Sequence, residues 1–169
     1  METLVQMLAL HHFASWADSC LHASFTDGTC EVRQAAYDHF GPVLDVIGED
    51  NCVQVLQGTH PSLNGATATI PGLASDTCWS NRVAYLKLCI GIQRSVNPAV
   101  FSAHLLPSAL TLSKDKVANV RLIAARLLKR LLEDVDNGQA YRNSCIGAVT
   151  ELGQDADRDV LEVVKSIAA

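Results

Sequence analysis

Aromatic residues make up only 5% of the 169-residue chain, too few for the packed interior of a sheet sandwich. Basic residues are nearly missing from the first half. Residues 1–84 carry two (Arg33 and Arg82) against nine acidic ones, a net −7, whereas residues 85–169 carry eleven against nine, a net +2. A chain of net charge −5 and pI about 5.6 lacks the basic field that nucleic-acid binding needs. The small positive excess toward the C-terminus suits an acidic patch on a protein partner instead. No apolar run is long enough to span a membrane. The run Leu4 to Leu10 follows Glu2 without any Lys or Arg and precedes His11-His12, which is not the layout of a secretory signal. The six cysteines (Cys20, Cys30, Cys52, Cys78, Cys89 and Cys145) include no CxxC pair, so a reduced, intracellular protein is expected.

The signatures of chemistry are also missing. There is no GxSxG elbow and no Gly-rich phosphate loop. His11, His12, Cys20 and His22 do not form a zinc site, because adjacent histidines diverge around a helix and no His pair at i, i+4 carries a Glu. Asp155, Asp157 and Asp159 alternate as in a calcium loop, but neither the turn Gly nor the closing Glu follows. An acid-rich helix start explains them better. No metal, no cofactor and no catalytic role are expected.

What is present is apolar and periodic. Hydrophobic residues reach 49%, mostly Leu, Ala and Val, enough to bury one core of ordinary domain size. The clearest stretch is Asp115-Lys-Val-Ala-Asn-Val-Arg121. Here Asp115 can cap a helix in which Val117, Val120, Ala124, Leu127, Leu128 and Leu131 form one stripe, opposite Arg126, Lys129, Arg130 and Glu133. The six-residue step from Asp to Arg recurs at Asp27–Arg33 and Asp76–Arg82, and at Asp155 with Leu161 in the Arg position. The Asp residues lie 49, 39 and 40 residues apart. A period near 40 with an amphipathic helix at each copy predicts an all-α fold, an α-solenoid of about four helical hairpins.

A single domain over residues 1–169 follows, with inner helices beginning near Asp27, Asp76, Asp115 and Asp155. Residues 3 to about 24 read as the first outer helix. The first inner helix, with Val32, Ala35, Ala36 and Phe40 inward, bends at Gly41-Pro42. The long first spacing places an inserted loop at about 48–65. A short outer helix over 66–74 follows, then a second inner helix with Val83, Leu86, Cys89 or Ile90, and Gln93 on its apolar face. Asn97-Pro98 opens the third outer helix, which Pro107 kinks, and residues 141–152 form the fourth. Arg33, Arg82 and Arg121 can each reach the Asp of the next repeat, as rungs that fix the register between hairpins.

The Asp-x-x-x-x-Val-Arg step, the small residues after it, the kinking prolines and the period together resemble HEAT repeats. From Ser75 through His104-Leu-Leu-Pro107 and Val117-Ala-Asn-Val-Arg121 to Val160, the chain resembles the last repeats of the scaffold (A) subunit family of protein phosphatase 2A and the related regulatory subunit 1 of protein phosphatase 4. Asn81 in place of Val, Leu161 in place of Arg and the 48–65 segment depart from that pattern. The resemblance implies a non-catalytic scaffold in the cytoplasm or nucleus. It would bind a serine/threonine phosphatase catalytic subunit of the 2A or 4 type through its intra-repeat turns. By position, those turns contribute Cys30, Trp79, Arg82, Val117, Arg121 and Asp157. Arg82 and Arg121 are weighted toward a structural role, and Trp79 equally toward an aromatic contact and a partly buried packing residue. Full scaffolds have many more repeats, so a fragment or a short member is implied. The same fold also serves HEAT-type adaptors in transport or assembly that hold no phosphatase.

Overall fold

All four Asp residues of the repeated step make the same local turn. The Oδ1 atoms of Asp27, Asp76, Asp115 and Asp155 accept the backbone N–H two residues on, at 2.7, 2.7, 2.8 and 2.8 Å. Side-chain oxygens of Asp mimic a backbone turn in this way, and a helix starts three residues after each Asp. The expectation that Asp115 caps its helix is therefore corrected by two residues. Val117 is the N-cap residue, with no side-chain cap of its own, and Asp115 fixes the turn that leads into it.

The computed structural model describes residues 20, 23–25, 27–47, 49–57, 59, 70–134 and 138–167. Its helices are α1 (Cys30–Asp38), α2 (Gly41–Ile47), α3 (Glu49–Leu56), α4 (Ile70–Leu73), α5 (Trp79–Ile92), α6 (Pro98–His104), α7 (Leu106–Leu112), α8 (Ala118–Leu132), α9 (Gly138–Leu152) and α10 (Arg158–Ile167). Helices α1, α5, α8 and α10 stack in that order as an inner layer, while α3, α6 and α9 meet in sequence as an outer one. This two-layer stack of hairpins is an α-solenoid, in which each unit buries its apolar face only against its neighbours. No described helix is long and apolar enough to cross a membrane.

The apolar stripe of α8 is buried from Val120 to Leu131, and Ile123 and Ala125 join it. The wider arc follows from position, since α8 lies between α5 and α10 and carries α7 and α9 on its remaining side. Arg126, Arg130 and Glu133 stay exposed. In α5, Val83, Leu86 and Cys89 are buried as expected, together with Tyr85, Leu88 and Ile92; Ile90 is half-buried, and Gln93, just past the helix end, is buried. Burial pushes the Cys89 thiol up to about 12 and the Cys145 thiol to about 11, as for inert, hydrophobe-like cysteines.

Both expected bends occur. The first inner helix breaks at His39-Phe40 and resumes as α2 with Pro42 in its first turn, and Leu105 separates α6 from α7 just before Pro107. Asn97 caps α6 by accepting the Ala99 N–H at 2.9 Å. The Tyr85 hydroxyl donates to the Leu105 carbonyl at 3.0 Å, tying the inner layer to the bend in the outer one. The break after α1 rests against the end of α5. A Cβ on Gly91 would lie 2.9 Å from the Tyr37 carbonyl oxygen, so only glycine lets the two backbones approach this closely.

Two expectations along the chain change. The segment 48–65, read as an inserted loop, carries a helix over its front half: α3 supplies the outer-layer neighbour of α6. Positions 60–69 lie outside the described residues, as does the first helical segment apart from residue 20 and residues 23–25. Val32, expected inward with Phe40, is 41% exposed, and Ala35 is exposed as well, whereas Phe40 is fully buried.

Candidate partner-binding ridge

The repeated Arg carries out the task its spacing suggested in two of three copies. Arg82 donates Nε to Asp115 Oδ2 at 2.6 Å and Nη2 to Asp115 Oδ1 at 3.0 Å. Its Nη1 turns back to the carbonyls of Asp76 and Thr77 at 2.7 and 3.0 Å. Arg121 repeats this with Asp155, at 2.6 Å from Nε to Oδ2 and 2.8 Å from Nη2 to Oδ1, and its Nη1 donates to the Asp115 carbonyl at 2.8 Å. The fork matches a carboxylate with two parallel bonds, the strongest common form of this contact. Side-chain exposures of 8% and 9% for the first pair, and 19% and 6% for the second, put both where water screens them only in part. The Arg82 and Arg121 guanidinium groups hold the Asp115 and Asp155 carboxyls below the usual carboxylate range.

The third rung is open. Arg33 Nη1 donates to the Asp27 carbonyl at 2.6 Å, the same backward contact as in the other copies. Its fork reaches no carboxylate among the described residues. Asp76, which would close the rung, gives Oδ2 to the Asn81 side-chain amide at 2.9 Å and Oδ1 to the Cys78 N–H. Three rungs were expected, and two form. The physical reason is at the position five residues past each Asp: Val32, Val120 and Val160 occupy it in the other copies, and only Asn81 can donate a hydrogen bond there. That polar exception is visible in the sequence as a departure that marks a weak point of the ladder, and the open rung lies there.

Each rung joins the start of one inner helix to the turn before the next, so the intra-repeat turns line up along one edge of the inner layer. Trp79, the first residue of α5, stands 46% exposed on that edge. Beside it the exposed Cys78 has its thiol held below the usual range by its hydrogen bond with Ser80, at 3.0 Å. Val117 occupies the equivalent turn of α8, half-buried against the core. Asp157 spends its Oδ1 on the Asp159 and Val160 N–H groups at 3.0 and 3.2 Å, capping α10. Cys30 opens α1, and its side chain is outside the described residues. Arg82 and Arg121 lie behind the edge, committed to rungs. Among the described residues no cluster of His, Cys, Asp or Glu is placed to hold a metal ion.

The HEAT repeat family model matches residues 105–135, which span α7 and α8 with the Asp115 turn between them. That segment carries a HEAT repeat. Serine/threonine-protein phosphatase 4 regulatory subunit 1 of Homo sapiens is 32% identical over 88 residues, covering 48% of this chain. The Mus musculus and Rattus norvegicus proteins of the same name are 31% identical over the same share. The chain covers 9% of the length of each of these relatives.

Proposed function

We propose that this HEAT-repeat chain is a non-catalytic scaffold that holds a serine/threonine phosphatase catalytic subunit, of the 4 or 2A type, against the edge formed by its intra-repeat turns. The reading rests chiefly on one observation. Two closed Arg–Asp rungs hold successive turns at fixed spacing, and that edge presents an exposed Trp79. Similarity to a phosphatase regulatory subunit points the same way. Cys30, Trp79, Val117 and Asp157 mark the contact line, and Arg82 and Arg121 keep it in register from behind. Such a scaffold works in the cytoplasm or nucleus, where its partner enzymes act.

An exposed Trp on a rigid edge is the kind of residue that dominates interface energetics. Titration calorimetry with purified phosphatase 4 and phosphatase 2A catalytic subunits provides the test. Trp79→Ala should weaken binding at least tenfold, about 1.4 kcal/mol, while Arg130→Gln, in the last turn of α8 and away from the intra-repeat turns, leaves it unchanged. If neither catalytic subunit binds the unaltered chain at micromolar concentration, the phosphatase reading fails, and a HEAT-type adaptor with other partners takes its place. Phosphate-ester hydrolysis by the isolated chain, abolished by a single substitution, would overturn the non-catalytic part.

A further inference from the structure

The open rung leaves a prepared cation facing a groove. Arg33 is fixed from behind by the Asp27 carbonyl at 2.6 Å, as Arg82 is by the Asp76 carbonyl at 2.7 Å and Arg121 by the Asp115 carbonyl at 2.8 Å. In those copies the remaining Nε and Nη2 edge grips a carboxylate through two bonds. In Arg33 that edge has no partner among the described residues, although the side chain is half-buried.

It opens into a groove of about 550 Å3 between the first two hairpins, floored by Phe25, Tyr37 and Leu73 and rimmed by Asp76, Cys78 and Ser80. Cys78 and Ser80 flank Trp79 in sequence, so the groove adjoins the exposed indole. A half-buried guanidinium with an unfilled fork keeps the desolvation cost of a rung without its return.

Resting on the scaffold reading above, we infer that the Arg33 fork receives a carboxylate side chain of the bound protein partner, with the apolar stem of that acidic residue lying over Phe25 and Leu73. Two carboxylates of the chain border the site, and neither competes for the fork. Asp27 holds the Thr29 N–H at 2.7 Å, and its relation to Arg33 is that of Asp76 to Arg82, where a second carboxylate is bound without difficulty. Asp76 makes the same turn bond as Asp115, from the Cys78 N–H to Oδ1, but its Oδ2, the atom that Arg82 Nε reaches in Asp115, accepts the Asn81 amide instead. In effect the partner supplies the carboxylate that Asn81 withholds.

The test measures phosphatase catalytic-subunit binding by the full chain and maps the contact. Arg33→Gln should weaken binding at least tenfold and flatten its dependence on salt, with the thermal midpoint of the free chain unchanged. For Arg33→Lys, zero-length carbodiimide coupling of the complex should join the introduced amine to an Asp or Glu of the phosphatase subunit, identified by mass spectrometry. Coupling to Asp76 instead would mean that the rung closes within the chain, and overturns the inference. Unchanged binding by Arg33→Gln also overturns it while leaving the Trp79 contact standing. Absence of binding by the unaltered chain removes the scaffold reading and this inference together.

Discussion

The junction between the second and third hairpins and the junction between the first and second are built from the same parts with different outcomes. At the former, Arg82 and Asp115 form a two-bond pair that is almost wholly buried. At the latter, Arg33 points from an equivalent anchor, and Asp76 is occupied by Asn81. Both junctions still pack inner helix on inner helix, α1 on α5 and α5 on α8. Hydrophobic stacking therefore holds hairpins together without a rung, and the rung adds register. Burying an ion pair contributes little net stability over an apolar pair of the same shape, but splitting one is costly. Closed junctions are thus sensitive to mutation in a way the open one is not.

The largest expected effect comes from Asp115→Ala. It removes the partner of Arg82 and the acceptor of the Val117 N–H at once. A loss of about 2–3 kcal/mol by urea unfolding is expected, below the full cost of splitting a dry pair because water still reaches its rim. A loss no greater than that of an exposed Asp→Ala substitution would remove the distinction between the junctions.

Acid provides a gentler probe. The folded-state pKa values of Asp115 and Asp155 are depressed by their Arg partners. The stability they contribute is fully present above the unfolded carboxylate value, near 4, and is lost as pH falls through the lower folded values. The unfolding midpoint should therefore decline below pH 4 in the unaltered chain, and less steeply in Asp115→Ala. Equal slopes in the two proteins would show that the rung carboxylate does not drive the decline.

The smallest effect belongs to the open junction. Arg33→Met should change stability by less than about 0.5 kcal/mol, as for a side chain without a charged partner. Asn81→Val, which restores the residue type of the other copies, frees Asp76 Oδ2. In that background Arg33→Met should become costly, and a double-mutant cycle reads the difference directly. Additive effects would mean that Asn81 is not what keeps the rung open.

The layers and most helix positions were legible in the sequence because the signals that set them are local. Asp turns, Asn97-Pro98 and the prolines at 42 and 107 act within a few residues, and a period near 40 orders the hairpins. The Arg–Asp pairing was also legible, since a six-residue step repeated at constant period brings each Arg to the next Asp. What escaped was settled by competition or by neighbours. Whether Arg33 or Asn81 holds Asp76 depends on side-chain reach across a junction, which spacing does not encode. The full burial of Ile123 and Ala125 depends on α8 being enclosed by several helices at once. On the candidate edge, the sequence singled out Trp79 and Val117 but not the difference in their exposure, which depends on what packs behind each turn.

The rungs also give the solenoid a direction. In both closed rungs the Arg reaches forward to the Asp of the following repeat while its Nη1 reaches back to its own turn, so each of these units has a donating end and an accepting end. Whole units can be duplicated or removed between one Asp turn and the next with the grammar of the joints intact. A cut between an Asp and its Arg would separate the halves of one unit and leave two mismatched ends. Leu161 lacks a donating head group, so the last unit accepts a rung from Arg121 and offers none onward.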